Sequence, residues 1–414
     1  MAKEPITISK ILSVIGNVLV AGICGITFAF TMLGIFISNA QDSILGQRDF
    51  VIYWSAGQQL VHHANPYDSV VIPRLEHAAG FAAKIPAMYV RNPPFFLPVL
   101  YPFGFLKLRL ASILWSTILV LALAGSVLLL RRIHGRPASV RHWLGYSFAP
   151  ALICANMGQT AIFVLLGLVL FLYLHQKHPF FAGMTLWLCM LKPHLLLPLG
   201  IVLLLWIVVE RRYKILAGAT VALAASLLLT YLVDPTAWKQ YAQMARESGI
   251  QGQYIPCASA VFRVWINQDY VWLQFAPVVL ACIWAVIYYG RHRRIWNWTQ
   301  QDGSLLIIVS FLTSPYSWLY DAAIVIPGLL EGAYRTRSRN ALIALALLSA
   351  AIELEILCNF KRQDAIFFWT IWTAPAWLIW YLAATIPPAK WAELWSKIKA
   401  WKRLGLKSEV NETC

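Results

Sequence analysis

Charged side chains are scarce here: they make up 13% of the 414 residues, against 59% apolar ones. That balance, with a mean hydropathy of +0.63, excludes a soluble domain of this length. Cysteines in paired spacing are missing as well. Of the seven, Cys24, Cys154, Cys189, Cys282 and Cys358 fall in or beside apolar runs, Cys257 in a loop and Cys414 at the terminus. With no CxxC, neither a disulfide framework nor a cysteine metal site is expected. The alternation of polar and apolar residues that an outer-membrane barrel needs is absent from runs such as LLLPLGIVLLLWIVV. Acidic residues are outnumbered by basic ones, 18 to 34. The basic residues sit in short clusters between apolar runs, where they set orientation in a membrane, so the +16 charge is not read as a nucleic-acid surface.

What is present is a succession of apolar runs. Backbone polar groups in lipid must be satisfied within each segment, so these runs are expected to be helices of an all-α polytopic membrane protein. Threading them between the basic clusters RRIHGRPASVR, ERRYK, RHRR, YRTRSR and the C-terminal tail, all placed on the cytoplasmic side, gives spans at 11–38, 108–130, 143–156, 160–176, 180–191, 194–209, 213–233, 273–290, 304–313, 319–333, 341–358 and 365–386. That is a bundle of about twelve helices with both termini cytoplasmic. Residues 1–386 form one transmembrane domain on this reading, with a first extracytoplasmic loop at 39–93 and a second at 234–272. The first run is too long for a signal peptide and is read as an uncleaved span. The four prolines of PPFFLPVLYPFGFL (93–106) argue against a straight span there and for a re-entrant or kinked segment. The tail 387–414 reads as a basic amphipathic helix on the cytoplasmic surface.

On this threading the polar motifs that interrupt the runs all reach the outer face: RDFVIYW with Asp49, RNPP at Arg91, NMGQ at Asn156 to Gln159, KPH at Lys192 to His194, and SPYSWLYD ending at Asp321. Several helices ending there are too short to cross hydrocarbon, which predicts polar ends around a shallow, outward-opening cavity. The stretch RDFVIYWSAGQQL predicts an amphipathic helix capping that cavity, with Asp49, Tyr53 and Ala56 at helical spacing. Asn65-Pro66-Tyr67-Asp68 predicts the Asx-type turn that stops it.

With RDFVIYWSAGQQLVHHANPYD, NPPFFLPVLYPF, NMGQTAIFVLLGLVLFLYL, MLKPHLLLPLGIVLLLWIVVERRYK and TSPYSWLYDAAIVIPGLL in order over roughly residues 10–335, the chain resembles the GT-C superfamily of membrane glycosyltransferases. Within it the resemblance is closest to glycosyltransferase family 87. The resemblance implies a GT-C-like bundle with a helical first extracytoplasmic loop, and a sugar, with mannose the first expectation, carried on a polyprenyl phosphate. It implies delivery on the extracytoplasmic face to the hydroxyl of an unidentified glycan or glycolipid, with inversion. The catalytic acid of such enzymes lies just after the first span, which here matches Asp49. No Asp-x-Asp accompanies it, so no obligatory metal and no other cofactor is expected.

Each candidate has a plainer alternative. Asp49 is read as the general base, or as a cap or salt-bridge partner of Arg48 or Arg91. Lys192 and Arg91 are read as holding the lipid phosphate, though an isolated lysine can equally snorkel to headgroups. His194 is the weaker neighbour of Lys192. Asn156 and Gln159 can bond sugar hydroxyls or simply a neighbouring helix. Tyr53, Asn65, Tyr67, Tyr316 and Tyr320 complete the expected substrate-binding set, with interfacial anchoring the alternative for the aromatics. Asp321, beside a hydrophobic run, needs a partner, and is either a second acid or the counter-ion of Lys192 or Arg91. His62, His63 and His134 are expected to be solvated. The rival function is a secondary transporter or lipid flippase. The one-sided clustering of polar motifs and the lack of a second RDFxxYW or NPYD weigh against it.

Overall fold

The computed structural model describes residues 8–41, 48–80, 88, 90–135, 139–248, 255–359, 369–387 and 396. The expected tail helix at 387–414 lies almost wholly outside the described residues. Among those described the chain is helical, without strands. The main helices are α1 Ile8–Ala40, α2 Phe50–Val61, α3 Val71–Ala78, α4 Leu108–Ile133, α5 Ala149–Met157, α6 Ala161–Leu174, α7 Pro179–Cys189, α8 Leu197–Val209, α9 Tyr213–Val233, α10 Ala237–Glu247, α11 Ala258–Ile266, α12 Ala276–His292, α13 Gln301–Leu312, α14 Ile326–Arg335, α15 Arg339–Asn359 and α16 Thr373–Thr385.

Four stretches are long and apolar enough to cross a bilayer: Val14–Ala40, Leu108–Ile133, Tyr213–Val233 and Val271–Ile295. Their outer faces carry exposed large apolar residues such as Val18, Leu121, Leu232 and Leu280. In water such a belt would be a liability; in lipid it is the expected surface. Most of the remaining expected crossings correspond to shorter helices, several of them deep in the bundle, while 341–358 falls in α15, which at 21 residues is as long as α9. Helix α6 is buried along nearly its whole length and packs against α4 and α7. It is apolar on every face because every face meets protein. Helices α7 and α9 pack with their backbones close: a Cβ on Gly183 or Gly218 would overlap the backbone of the other helix.

Proline decides where several expected spans break. The stretch expected as one helix at 143–156 is a single turn, Trp143–Tyr146, followed by α5, which restarts with Pro150 in its first turn. The 319–333 stretch is a 3-10 turn, Leu319–Val325, continued by α14 with Pro327 at its start. Residues Pro94–Phe105 form three successive short turns that are largely buried, in keeping with the expected kinked segment.

Helix α2 differs from the expected amphipathic cap. Phe50, Val51, Ile52, Tyr53, Ser55, Ala56, Gly57, Gln59 and Leu60 are all buried, so it is packed into the bundle rather than laid over it. The reason is a glycine pair: a Cβ on Gly57 would stand 2.6 Å from the Leu100 carbonyl oxygen, and Gly104 abuts Gly57 in return. The helix also stops earlier than its proline suggested. It ends at Val61, with His63 at φ 52, before the Asx turn in which Asn65 Oδ1 accepts from the Tyr67 amide at 2.8 Å.

Candidate active site

Position 49 follows a fully buried arginine. Arg48, 2% exposed, donates to Asn39 Oδ1, Ser112 Oγ, Ser116 Oγ and the carbonyls of Ala155 and Asn156. These acceptors come from α1, α4 and α5, so the guanidinium knots three helices and fixes the backbone from which Asp49 starts α2. Arg48 is therefore a scaffold for Asp49 and spends its hydrogen bonds elsewhere.

The NMGQ motif supplies the partner of Asp49. Helix α5 ends on Gly158 at φ 79, the left-handed position that glycine takes at a helix C-terminus. A Cβ there would also lie 2.6 Å from Phe50 Cβ. Gly158 thus lets α5 stop hard against the start of α2, and the next side chain, Gln159, meets the carboxylate: Gln159 Nε2 donates to Asp49 Oδ2 at 2.7 Å. The other end of the same amide, Oε1, accepts from Tyr53 Oη at 3.1 Å and from Lys192 Nζ at 3.1 Å.

Lys192 sits in the break between α7 and the turn Pro193–Leu196, held out of helical geometry by the proline that follows. Its Nζ lies 2.6 Å from Asp321 Oδ1 and 5.1 Å from the Tyr320 ring centroid. Asp321 is 0% exposed, and its Oδ2 accepts from the Trp318 amide at 2.9 Å, closing the turn that begins the 319–325 segment. Asp321 is the counter-ion of Lys192. The pair, the amide of Gln159 and the carboxylate of Asp49 form one continuous chain of polar contacts across four segments remote in sequence.

Around this chain stand aromatic rings. Trp318 and Tyr320 stack at 6.4 Å, Trp318 Nε1 donates to Tyr316 Oη at 3.1 Å, and Tyr316 meets His194 edge-on at 5.5 Å. The His194 Nε2 is buried without a hydrogen-bond partner. The second loop braces this wall from outside: Ile255, Cys257 and Ala260 pack with Tyr316 and Trp318, and Ser259 Oγ donates to the Thr313 carbonyl at 3.1 Å. Asp49, Lys192, His194, Tyr316, Trp318 and Tyr320 remain partly exposed while Arg48, Gln159 and Asp321 beneath them are buried. The arrangement is a floor with chemistry on top and supports below.

Electrostatics at Asp49 follow from that placement. Burial raises its proton affinity, the Gln159 hydrogen bond and the Lys192 charge counter it, and the Asp321 carboxylate adds to it. Among the described residues no group of three or more His, Cys, Asp or Glu is arranged to hold a metal ion.

The remaining candidates lie elsewhere. Asn156 Oδ1 accepts from Ser38 Oγ at 3.3 Å and its carbonyl from Arg48, so it belongs to the scaffold. Asn65 shapes its turn. Tyr67 Oη donates to the Asn92 carbonyl at 2.9 Å and its ring meets Tyr241 of α10 at 5.3 Å, while Arg91 donates to the Ser248 carbonyl at 3.1 Å. These contacts tie the first loop to α10. His62 and His63 are exposed as expected, while His134 is half-buried, its ring packed 5.0 Å from Tyr334. Two residues escaped the sequence reading, Trp318 as part of the wall and Glu76, a fully buried acid of α3 with one unpartnered oxygen. Trp318 lay within a quoted motif; nothing in the sequence around Glu76 marks it.

No curated protein and no solved structure matches the chain. A model of glycosyltransferase family 87 matches residues 89–315, more than half of its length, which takes in Gln159 and Lys192 but stops short of Asp49 and Asp321. With its lipid-facing helices and this match, the chain is a multi-pass membrane glycosyltransferase and belongs to glycosyltransferase family 87.

Proposed function

We propose that this glycosyltransferase moves a sugar, mannose first among the candidates, from a polyprenyl-phosphate donor to an acceptor hydroxyl on the extracytoplasmic side of a cytoplasmic membrane, with inversion and Asp49 as general base. The observation that carries the reading is the Gln159 amide, which holds Asp49 with its nitrogen and Lys192 with its oxygen. A base and a cation are thereby kept one carboxamide apart. An acceptor hydroxyl bound at Asp49 and a donor phosphate bound at Lys192 would place the anomeric carbon between them. Attack from the Asp49 side with departure on the Lys192 side is an in-line displacement, and its stereochemical result is inversion.

Each group has the capacity its role requires. Asp49 is partly exposed, offers an oxygen besides the one that Gln159 engages, and has a raised proton affinity suited to taking a hydroxyl proton. Lys192 has three N–H donors, of which Asp321 and Gln159 occupy two. The third is available to a departing phosphate, whose growing negative charge a fixed cation stabilises without reorganisation. On this reading the phosphate is met by a side-chain cation and the step needs no divalent ion. Tyr316, Trp318 and Tyr320 supply faces on which a hexose can stack.

The test uses membranes containing the wild-type chain, offered polyprenyl-phosphate mannose, polyprenyl-phosphate glucose or a nucleotide-activated sugar, each radiolabelled. The proposal expects label in a glycan or glycolipid product from a polyprenyl-phosphate sugar, mannose foremost. Transfer from the nucleotide sugar alone, in membranes that cannot make the lipid-linked form, would refute the donor.

A further inference from the structure

Helix α11, in the second loop, is inside out for a segment bathed in water. Its charged residue faces the protein: Arg263, 4% exposed, donates from Nε to the Gln268 carbonyl at 2.7 Å and from Nη1 to Gln274 Oε1 at 3.5 Å. Ser259 and Ala260 are buried with it. The rest of the helix surface carries Phe262, Val264, Trp265 and Ile266, all exposed, with Trp265 at 83% and Ile266 at 63%. A helix packed on a protein in water does the reverse, turning its apolar side chains in and its arginine out. Such a patch facing water would be a liability.

The patch is also not isolated. Beyond a polar tip at Gln268 and Asp269, both exposed, the rings of Tyr270 and Trp272 stack at 6.4 Å. From there exposed Trp272, Phe275, Val279 and Ile283 follow one another at three- and four-residue spacing into α12. Helix α11 packs on the turn Val271–Phe275, and that turn packs on α12. The apolar surface of the loop therefore runs on into the lipid-facing belt, of which Leu280 of α12 is part.

Depth follows from length. Helix α12 ends on Arg291 and His292, and its first residue, Ala276, lies roughly 24 Å from them along the axis. The 3-10 turn before it adds roughly 10 Å. Together they match the roughly 30 Å of hydrocarbon in a bilayer, so Trp272 and α11 stand at the boundary opposite the basic pair. Rings with an apolar body and a polar tip favour that level. At 9 residues α11 is too short to cross, and its inverted pattern suits a helix lying in the interface.

We propose that α11 and the turn after it lie in the lipid leaflet on the active-site side, with Phe262, Trp265 and Ile266 among the acyl chains and Gln268 and Asp269 at the headgroups, and that this immersion steadies the aromatic wall. The connection to the wall is direct. Cys257 and Ala260 pack with Tyr316 and Trp318, Ser259 Oγ donates to the Thr313 carbonyl, and Gln274 Nε2 donates to the Pro315 carbonyl. A second copy of the chain is the other occupant such a face admits, and the run of the patch into the lipid-facing belt favours lipid.

Photo-crosslinking tests the immersion, with the full-length protein in dioleoylphosphatidylcholine liposomes. With p-benzoylphenylalanine in place of Trp265, irradiation should add one phospholipid to the intact mass, at a yield at least about fivefold that of the same replacement at Asp269. Equal or absent lipid capture at position 265 would overturn the proposal, and so would a crosslinked dimer in place of the lipid adduct. Hydrogen exchange in the same liposomes tests the connection. Trp265→Ser/Ile266→Ser alters two exposed side chains and should speed exchange of the Tyr316 to Leu319 amides several-fold, while the amides of buried α6 stay as in wild type. Unchanged exchange at 316–319, or a rise shared by α6, would refute the tie between lipid and wall. Neither readout depends on sugar transfer, so both stand apart from the identity of the donor.

Discussion

Replacing Lys192 by methionine tests whether the ion pair holds the site together. The ammonium lies 2.6 Å from Asp321 Oδ1, and Asp321 is 0% exposed. Removing one member of such a pair leaves an uncompensated charge and costs about 3–5 kcal/mol. The stranded carboxylate keeps only the Trp318 amide, at 2.9 Å. Asp321→Asn is milder, because Lys192 is 11% exposed and can turn toward water; losing a charged hydrogen bond there costs about 1.5–3 kcal/mol. The double variant Lys192→Met/Asp321→Asn strands no charge, so it should resist heating better than Lys192→Met alone. The resulting coupling should be about 2 kcal/mol. Unfolding is followed as the rate of loss of monodisperse protein at fixed temperature in one detergent, since membrane proteins of this size unfold irreversibly. In the transfer assay the double variant should remain inactive although its fold is recovered, because the cation proposed to meet the phosphate is gone. If Lys192→Met withstands heat like wild type, or the double variant is worse than Lys192→Met, the pair is not what secures the 318–321 turn.

Arg48→Lys should destabilise by about 3 kcal/mol or more and lower the yield of monodisperse protein, because one ammonium cannot reach acceptors on α1, α4 and α5 together; an unchanged yield and heat resistance would contradict this. Burial raises the Glu76 carboxyl from 4.5 to about 7. The folded state therefore holds this proton more tightly than the unfolded chain, and stability is lost as pH rises from about 4.5 through about 7. At about 1.4 kcal/mol per pH unit the loss above pH 7 is about 3 kcal/mol. Glu76→Gln should then gain heat resistance at pH 8 and little at pH 4.5, and an equal gain at both would refute the assignment. As the proposed base, Asp49 must be ionised to act, and its proton affinity is raised, chiefly by burial. The acid limb of kcat/KM should accordingly lie above the ordinary carboxylate value of 3.8; activity undiminished down to that value would contradict the base assignment.

How much of this was legible in the sequence depends on the scale of the signal. Lipid-facing helices announce themselves through length and composition, and Tyr213–Val233 was delimited to the residue by its apolar run between Arg212 and Asp234. Short interior helices are less legible, because the prolines at 150 and 327 mark a restart without telling how far the preceding turn continues. The candidate residues were visible as types that are expensive beside hydrocarbon: Asp49, Gln159, Lys192 and Asp321 each demanded a partner. Which partner each took was not legible, since Lys192 could have met Asp321 or a headgroup, and only the packing of α5 on α2 through Gly158 brings Gln159 between the two charges. The partners of Arg48 were hidden for the same reason. A pairing of the two adjacent charges was the plainer alternative for Asp49, while the fold turns the arginine into the bundle and leaves the aspartate at the rim.

The claim at the centre of this account is that Asp49 does chemistry while Lys192 and the aromatic wall hold the donor. The most direct measurement compares wild type with Asp49→Asn at saturating polyprenyl-phosphate mannose, or whichever lipid-linked sugar proves to be the donor, together with donor affinity in the absence of acceptor. The account predicts that kcat falls at least about a hundredfold while donor affinity stays within about threefold of wild type. Near wild-type turnover by Asp49→Asn, or a lost activity explained wholly by lost donor binding, would contradict it.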